Sequence, residues 1–77
     1  MEINLLTFGS ITEIIGESSL VYSDLNNTDL LVKKLHDAFP ELASIKYSIA
    51  VNQKLVHTNT KLNDKDTVAL LPPFSGG

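Results

Sequence analysis

The residues best suited to chemistry lie at the end of the chain, in Pro72-Pro73-Phe74-Ser75-Gly76-Gly77. The two prolines lack N–H groups and fix φ, so they stop a sheet and direct the following residues outward in an extended form. Gly76 and Gly77 carry no side chains, which lets a narrow channel in another protein close around their backbone. A carboxylate at such a tip can attack the α-phosphate of ATP and give a reactive acyl adenylate. The pattern predicts that the Gly77 carboxylate is the reactive group.

The other tail residues are predicted to handle recognition. Phe74 offers one large apolar anchor beyond the last strand, so Phe74 and Pro73 are expected to bind a partner. Ser75 and Gly76 are expected to thread the partner's channel. The alternative is that Ser-Gly-Gly is only a frayed terminus or a cloning remnant. The tail residues alone leave both interpretations open.

Side chains elsewhere form no recognisable catalytic or metal site. His36 falls on the polar side of a predicted helix and His57 ends a short predicted strand, and neither has sequence neighbours that suggest a triad or a metal set. Asp64 and Asp66 have calcium-loop spacing, but the later ligand positions are apolar and no glutamate closes the loop. The two aspartates are therefore predicted to be turn residues, and no stably bound cofactor or metal is expected.

Composition narrows the class of protein. The 77 residues, 43% of them hydrophobic, predict one folded domain. The chain has no cysteine, which excludes a disulfide framework and a thiolate nucleophile and fits a reducing cytoplasm. A net charge of −3 without arginine argues against nucleic acid as a partner. The absence of a signal-like start and of a run of ~20 apolar residues argues against export and against membrane insertion.

The first third of the chain predicts a strand, a short helix and a second strand. Glu2–Phe8 has apolar residues on both faces, which is typical of an interior strand. Ser10 and Glu13 have the spacing of a capping box that would start a short helix, and Gly16 would stop it. Ser19–Ser23 is short and partly β-branched and aromatic, which predicts a strand antiparallel to the first.

The main helix is predicted over residues 29–39. Asn26-Asn27-Thr28 supplies capping acceptors before it, and Pro40 disfavours its continuation but could open one further turn. Its predicted apolar stripe consists of Leu31, Leu35, Ala38 and Phe39.

Three more strands are predicted after the helix. Residues 47–52 alternate with period two, and Asn52-Gln53 forms a tight turn into residues 54–57. Leu62–Asp66 forms a turn before the last strand, Thr67–Leu71. One mixed sheet of about five strands packed on one main helix, a two-layer α+β domain, is the economical arrangement.

Three segments together resemble the molybdopterin synthase small subunit, the MoaD family of sulfur carriers. They are the tail from Pro72 to Gly77, the Ala-Val-Asn-Gln-Lys-Leu-Val run at 50–56 and the Leu-Asn-Asp-Lys-Asp-Thr-Val-Ala run at 62–69. The resemblance spans essentially the whole chain. It implies a ubiquitin-like β-grasp fold, with residues 1–77 as a single sulfur-carrier domain and residues 72–77 as its projecting tail.

The resemblance also implies a reaction and partners. Gly77 would be adenylated by a ubiquitin-activating-like adenylyltransferase that consumes ATP, and then converted to a thiocarboxylate. The tail would insert into the large catalytic subunit of molybdopterin synthase, in a complex of two small and two large subunits. Sulfur would pass to cyclic pyranopterin monophosphate, on the path to the molybdenum cofactor. The chain would donate sulfur without being catalytic alone.

One residue departs from the family pattern, and other functions share the tail. Family members usually have glycine where this chain has Lys65, so a positive φ there would cost on the order of 1 kcal/mol. Carriers for thiamine or tRNA thiolation share the fold and the Gly-Gly end. The Pro-Pro-Phe approach and the helix at residues 10–15 favour molybdopterin synthase. A ubiquitin-like modifier and a docking module with an inert tail are the remaining alternatives.

Overall fold

Five strands form one mixed sheet in the computed structural model, which describes residues 1–72. Their order across the sheet is β2-β1-β5-β3-β4; β1 and β5 are parallel, and the other pairs are antiparallel. The strands are β1 (Glu2–Thr7), β2 (Ser19–Ser23), β3 (Ser48–Val51), β4 (Lys54–Val56) and β5 (Thr67–Leu71). All five predicted strands are confirmed. β1, β3 and β4 are slightly shorter than predicted.

The helices cover one face of this sheet. They are α1 (Ser10–Ile15), α2 (Thr28–Ala38) and a 3₁₀ helix (Pro40–Ser44). The inward side chains of β1 and β5 pack with Leu31 and Leu35 of α2 and with Leu42 of the 3₁₀ helix in a continuous apolar core. The fully buried strand residues in this core are Ile3, Leu5, Val68 and Leu70. Within residues 1–72 no helix is long and apolar enough to cross a membrane.

The start of α1 differs from the prediction. Gly9, not Ser10, is the N-cap, and no side chain caps this helix, so the predicted capping box is wrong. Gly9 has φ 56° and ψ −131°, a conformation that turns the chain directly from β1 into the helix and leaves Ser10 already helical. The other end follows the prediction, because Gly16 lies in the left-handed region with φ 87° and its N–H donates to the Thr12 carbonyl.

The main helix is confirmed, although each end lies one residue earlier than predicted, at Thr28 and Ala38. Asn27 is the N-cap, and its side chain accepts a hydrogen bond of 2.9 Å from the Leu30 N–H. Leu31 and Leu35 are buried and Phe39 is half-buried, but Ala38 is exposed, so its place in the apolar stripe was wrong. Ala38 is the last helical residue, where the chain turns away toward the predicted further turn at Pro40.

Two turns carry positive φ at residues other than glycine. Asn52 and Gln53 have φ of 49° and 72°, as a two-residue turn between antiparallel strands requires. Lys65 has φ 68°, which confirms that the turn keeps the conformation that glycine favours. The Asn52 side chain bridges the two turns, because its amide donates to the Asp66 carboxylate at 2.9 Å and its oxygen accepts from the Thr67 N–H at 3.0 Å.

Candidate functional site

The base of the C-terminal tail lies beside the end of β1. Because β1 and β5 run parallel with Thr7 paired to Leu70, both strands end at the same edge of the sheet. Pro72 follows β5 directly and has no N–H to continue the ladder. The predicted site residues Pro73, Phe74, Ser75, Gly76 and Gly77 lie outside the described residues, so their roles stay predictions.

The open face of the sheet carries a shallow groove of about 700 Å³. None of the helices in residues 1–72 covers this face, since they pack on the opposite one. Its apolar lining consists of Leu6, Phe8, Ala50, Leu55, Ala69 and Leu71. Two of these side chains are largely exposed, Leu55 at 57% and Phe8 at 45%, and Leu6, Ala69 and Leu71 are half-buried. Exposed apolar side chains grouped in this way form the kind of surface on which another protein can dock.

The register gives the groove a direction. Ala50 pairs with Ala69 of β5 on one side and with Leu55 of β4 on the other, and the two alanines form the floor of the groove. Asn52, Gln53 and Thr67 line the end beside the β3–β4 turn, which is polar. Leu71 lies at the opposite end of β5, directly before Pro72. The groove therefore runs from a polar turn to the base of the tail.

The sequence predicts Phe74 and Pro73 as partner-binding residues and does not identify the residues that line the groove. Leu6 and Phe8 suggested an interior strand, and β1 is interior within the sheet. The second face of β1 is open, however, so both side chains line the groove. The alternation over residues 47–52 predicts Ala50 on the same face as Ser48 and Asn52. Ala50 does line the open face, but it is only 6% exposed, because its cross-strand neighbours flank it. The predicted Asn52-Gln53 turn pairs Ala50 with Leu55, and this pairing was the sequence signal for an apolar surface on the open face.

Neither histidine lines the groove. His36 is half-buried, and its Nε2 forms a 2.7 Å hydrogen bond with the Tyr47 hydroxyl, whose pKa is raised by burial. His57 is exposed and lines a separate polar cavity of about 310 Å³ beside the start of α2. In that cavity Asn59 Oδ1 accepts the Asp29 N–H at 2.9 Å, which is a structural contact. Among residues 1–72, no group of His, Asp and Glu could hold a metal ion.

The chain is similar to one protein family over most of its length. Residues 5–77 match the ThiS family. The molybdopterin synthase sulfur carrier subunit of Dictyostelium discoideum is 31% identical over 99% of this chain and 96% of its own length. The corresponding subunit of Chlamydomonas reinhardtii is 35% identical, and the match covers 100% of both chains.

Solved structures agree in fold. A chain in the complex of subunits 1 and 2 of molybdopterin-converting factor from Helicobacter pylori 26695 superposes with a TM-score of 0.76 at 30% identity, and the match covers 100% of both chains. The small archaeal modifier protein 1 of Methanosarcina acetivorans superposes with a TM-score of 0.79 at 25% identity, over 99% of this chain and 96% of that one. These neighbours confirm the ubiquitin-like β-grasp fold. The chain belongs to the ThiS family, and its resemblance to the molybdopterin synthase small subunit is confirmed over its full length.

Proposed function

We propose that this chain is the sulfur carrier subunit of a cytoplasmic molybdopterin synthase, with the Gly77 carboxylate as the group that carries sulfur. The observation that best supports this function is the groove, which is open and apolar and ends where β5 passes into Pro72. A partner that docks there contacts the sheet beside Pro72, the residue from which the C-terminal segment continues. In this proposal, the sheet binds the partner and the C-terminus carries out the reaction.

The chemistry needs no side chain of the carrier. In the activating enzyme, a Gly77 carboxylate oxygen attacks the α-phosphorus of ATP, so an acyl adenylate forms and pyrophosphate leaves. A sulfide nucleophile then attacks the acyl carbon; the C–S bond forms, the C–O bond to AMP breaks, and the thiol proton is released. The product is a thiocarboxylate at Gly77. The thiocarboxylate sulfur then forms a bond to an acceptor carbon and displaces a leaving group from it. Water attacks the acyl carbon and breaks the acyl C–S bond, which leaves the sulfur on the acceptor and restores the carboxylate.

The large catalytic subunit is the partner proposed for the groove. The similar Helicobacter pylori chain is in a complex of subunits 1 and 2 of molybdopterin-converting factor. Burial of exposed apolar surface stabilises a complex, and Leu55 and Phe8 are the most exposed apolar side chains of the groove. Two small and two large subunits, with cyclic pyranopterin monophosphate as the sulfur acceptor, complete the proposed assembly. The adenylyltransferase acts on the same tail before that assembly forms.

Intact-mass spectrometry tests the proposal. We expect the chain, incubated with its activating enzyme, ATP and sulfide, to gain the mass difference between one sulfur and one oxygen atom, located in the C-terminal peptide. A variant extended by one residue past Gly77 is the matched control; it should bind the large subunit but gain no sulfur at Gly77. An unchanged wild-type mass, under conditions that thiolate a control carrier, would contradict the proposal.

A second candidate function is protein modification, which the similarity to a small archaeal modifier protein favours. In that case the activated Gly77 carbonyl would form an amide with a lysine amine of another protein. Adding cyclic pyranopterin monophosphate and the large subunit to the thiolated chain separates the two functions. Sulfur on the pterin supports the carrier function, whereas amide-linked adducts that form instead support the modifier.

A further inference from the structure

One edge of the sheet carries unused backbone hydrogen-bonding groups. β2 is an outermost strand, and in its antiparallel pairing with β1 the residues that bond the neighbour alternate with residues that do not. At one end, the Thr7 N–H donates to the Ser18 carbonyl at 3.0 Å. At the other end, the Asp24 N–H donates to the Met1 carbonyl at 3.0 Å. Every second residue from Ser18 to Asp24 therefore bonds β1, and the residues between them direct their N–H and C=O groups away from β1.

The residues of β2 with outward backbone groups are Ser19, Val21 and Ser23. Within residues 1–72, no strand pairs with this side of β2. Charged side chains, proline and bulges protect such edges in many proteins, but β2 has none of them, because its register with β1 is continuous and its sequence is Ser-Leu-Val-Tyr-Ser. The other edge strand, β4, is shorter and carries Lys54. β2 is therefore the edge that is open to a further strand.

The side chains of β2 add apolar surface on both faces of this edge. Val21 is 58% exposed on the open face of the sheet and does not line the groove. Leu20 and Tyr22 pack against the core on the other face and are half-buried. Apolar side chains beside outward N–H and C=O groups are what an added strand can cover.

The sequence of β2 is nearly symmetric about Val21. When two copies pair antiparallel about this residue, Ser19 lies opposite Ser23 of the other copy, and Val21 lies opposite its own counterpart. These are all outward residues, so each pair can exchange two backbone hydrogen bonds. Leu20 then lies opposite Tyr22 on the other face. A register moved by one residue would instead set outward residues against residues that already bond β1, so β2 is complementary to itself in this register.

Neither charge nor the groove opposes this pairing. Glu17 and Asp24 flank β2, and in the pairing about Val21 they lie opposite Leu25 and Ser18 of the other copy, so the acidic side chains do not face each other. Both copies use the same surface, which closes the contact as a twofold dimer. The groove stays uncovered, because it lies on β1, β5, β3 and β4, away from the paired edge.

We propose that this chain self-associates through β2: two copies pair antiparallel about Val21 and join their sheets into one continuous sheet, with both grooves on the same face. The contact is a single strand pair and is smaller than the interface of a stable complex, so the dimer is weak and forms at high protein concentration. The inference goes beyond the proposed function and does not depend on the chemistry of Gly77.

Sedimentation velocity and amide hydrogen exchange of the full chain test the pairing. Between about 10 μM and about 1 mM protein, the weight-average mass should rise from that of one chain, 8.4 kDa, toward that of two. Over the same range, exchange measured by NMR should slow roughly twofold or more at the N–H groups of Ser19, Val21 and Ser23. Leu20 and Tyr22, which already bond β1, should change less.

Three substitutions at Val21 separate strand pairing from other modes of association. Val21→Pro removes the outward N–H without breaking a bond to β1, so it should hold the mass at that of one chain up to about 1 mM. Val21→Lys sets two like charges opposite each other and should raise the Kd of the dimer about tenfold or more, which serves if Val21→Pro does not fold. Val21→Thr is the matched control, since it keeps the N–H and the branched shape, and its Kd should stay within about threefold of the wild-type value.

Three results would overturn the proposal. The first is a wild-type mass that stays at 8.4 kDa up to about 1 mM. The second is a dimer that forms equally well in wild type, Val21→Lys and folded Val21→Pro. The third is loss of the dimer in Leu55→Asp, which would assign the association to the groove, because strand pairing through β2 predicts that Leu55→Asp dimerises as the wild type does.

Discussion

Replacement of Leu55 by alanine should weaken binding of the large subunit without weakening the fold. Leu55 lies on the edge strand β4, lines the groove and is 57% exposed. A leucine exposed to this extent offers on the order of 100 Å² for burial on docking, of which alanine would lose roughly two thirds. At about 25 cal/mol per Å², the loss is about 1.5 to 2 kcal/mol, or roughly a tenfold to thirtyfold increase in Kd.

Val21→Ala is the control for Leu55→Ala. Val21 is 58% exposed on the same open face, because it pairs with Asn4 of β1, but it lies on the other edge strand and does not line the groove. Calorimetric titration of each variant with the large subunit gives the two Kd values, and thermal melts should show little change for either. Equal affinities for Leu55→Ala, Val21→Ala and wild type would refute the docking role of the groove, as would equal losses in both variants.

Three further predictions concern the described domain. Lys65→Gly should raise the free energy of unfolding by up to about 1 kcal/mol, because φ at Lys65 is 68°, and chemical denaturation measures it. Hydrogen bonds from the Asn52 side chain and the Asn63 N–H hold the pKa of Asp66 below its ordinary 3.8, so the stability of the wild type should fall as pH drops through and below that value. Asp66→Asn should be less stable than the wild type at neutral pH and should lose part of this acid dependence. Urea denaturation at a series of pH values measures both effects. Thr7→Val should cost about 1 to 3 kcal/mol in the same assay, because it removes the buried hydroxyl that donates to the Glu17 carbonyl at 2.6 Å, whereas Thr7→Ser should retain that bond and lose less.

The sequence predicted elements well wherever local chemistry determines them. β2 and β5 have the predicted bounds because short β-branched runs are closed on both sides by turn residues. The Lys65 turn keeps positive φ even without glycine, since Asn63 and Asp66 close it with the hydrogen bond from the Asp66 N–H to the Asn63 carbonyl. The capping box failed because Ser10 and Glu13 have its spacing, but the special backbone conformation lies one residue earlier, at Gly9.

The groove could not be predicted from local pattern. Whether Leu6 or Leu5 faces the core depends on which face of the sheet the helices cover, and that is a tertiary property. Gly9 and Pro72, near opposite ends of the chain, become neighbours only through the parallel pairing of β1 and β5. By contrast, the proposed chemistry of Gly77 follows from sequence and resemblance, and it remains a prediction about residues beyond those described.

The most direct test of the central claim follows the oxygen atom that the Gly77 carboxylate loses. The chain is prepared with heavy oxygen in its C-terminal carboxylate and incubated with the activating enzyme, ATP and sulfide, and the AMP released is analysed by mass spectrometry. Activation through an acyl adenylate predicts that AMP carries one heavy oxygen for each thiocarboxylate formed. Thiolated protein accompanied by unlabelled AMP would contradict the claim that this carboxylate is the group activated.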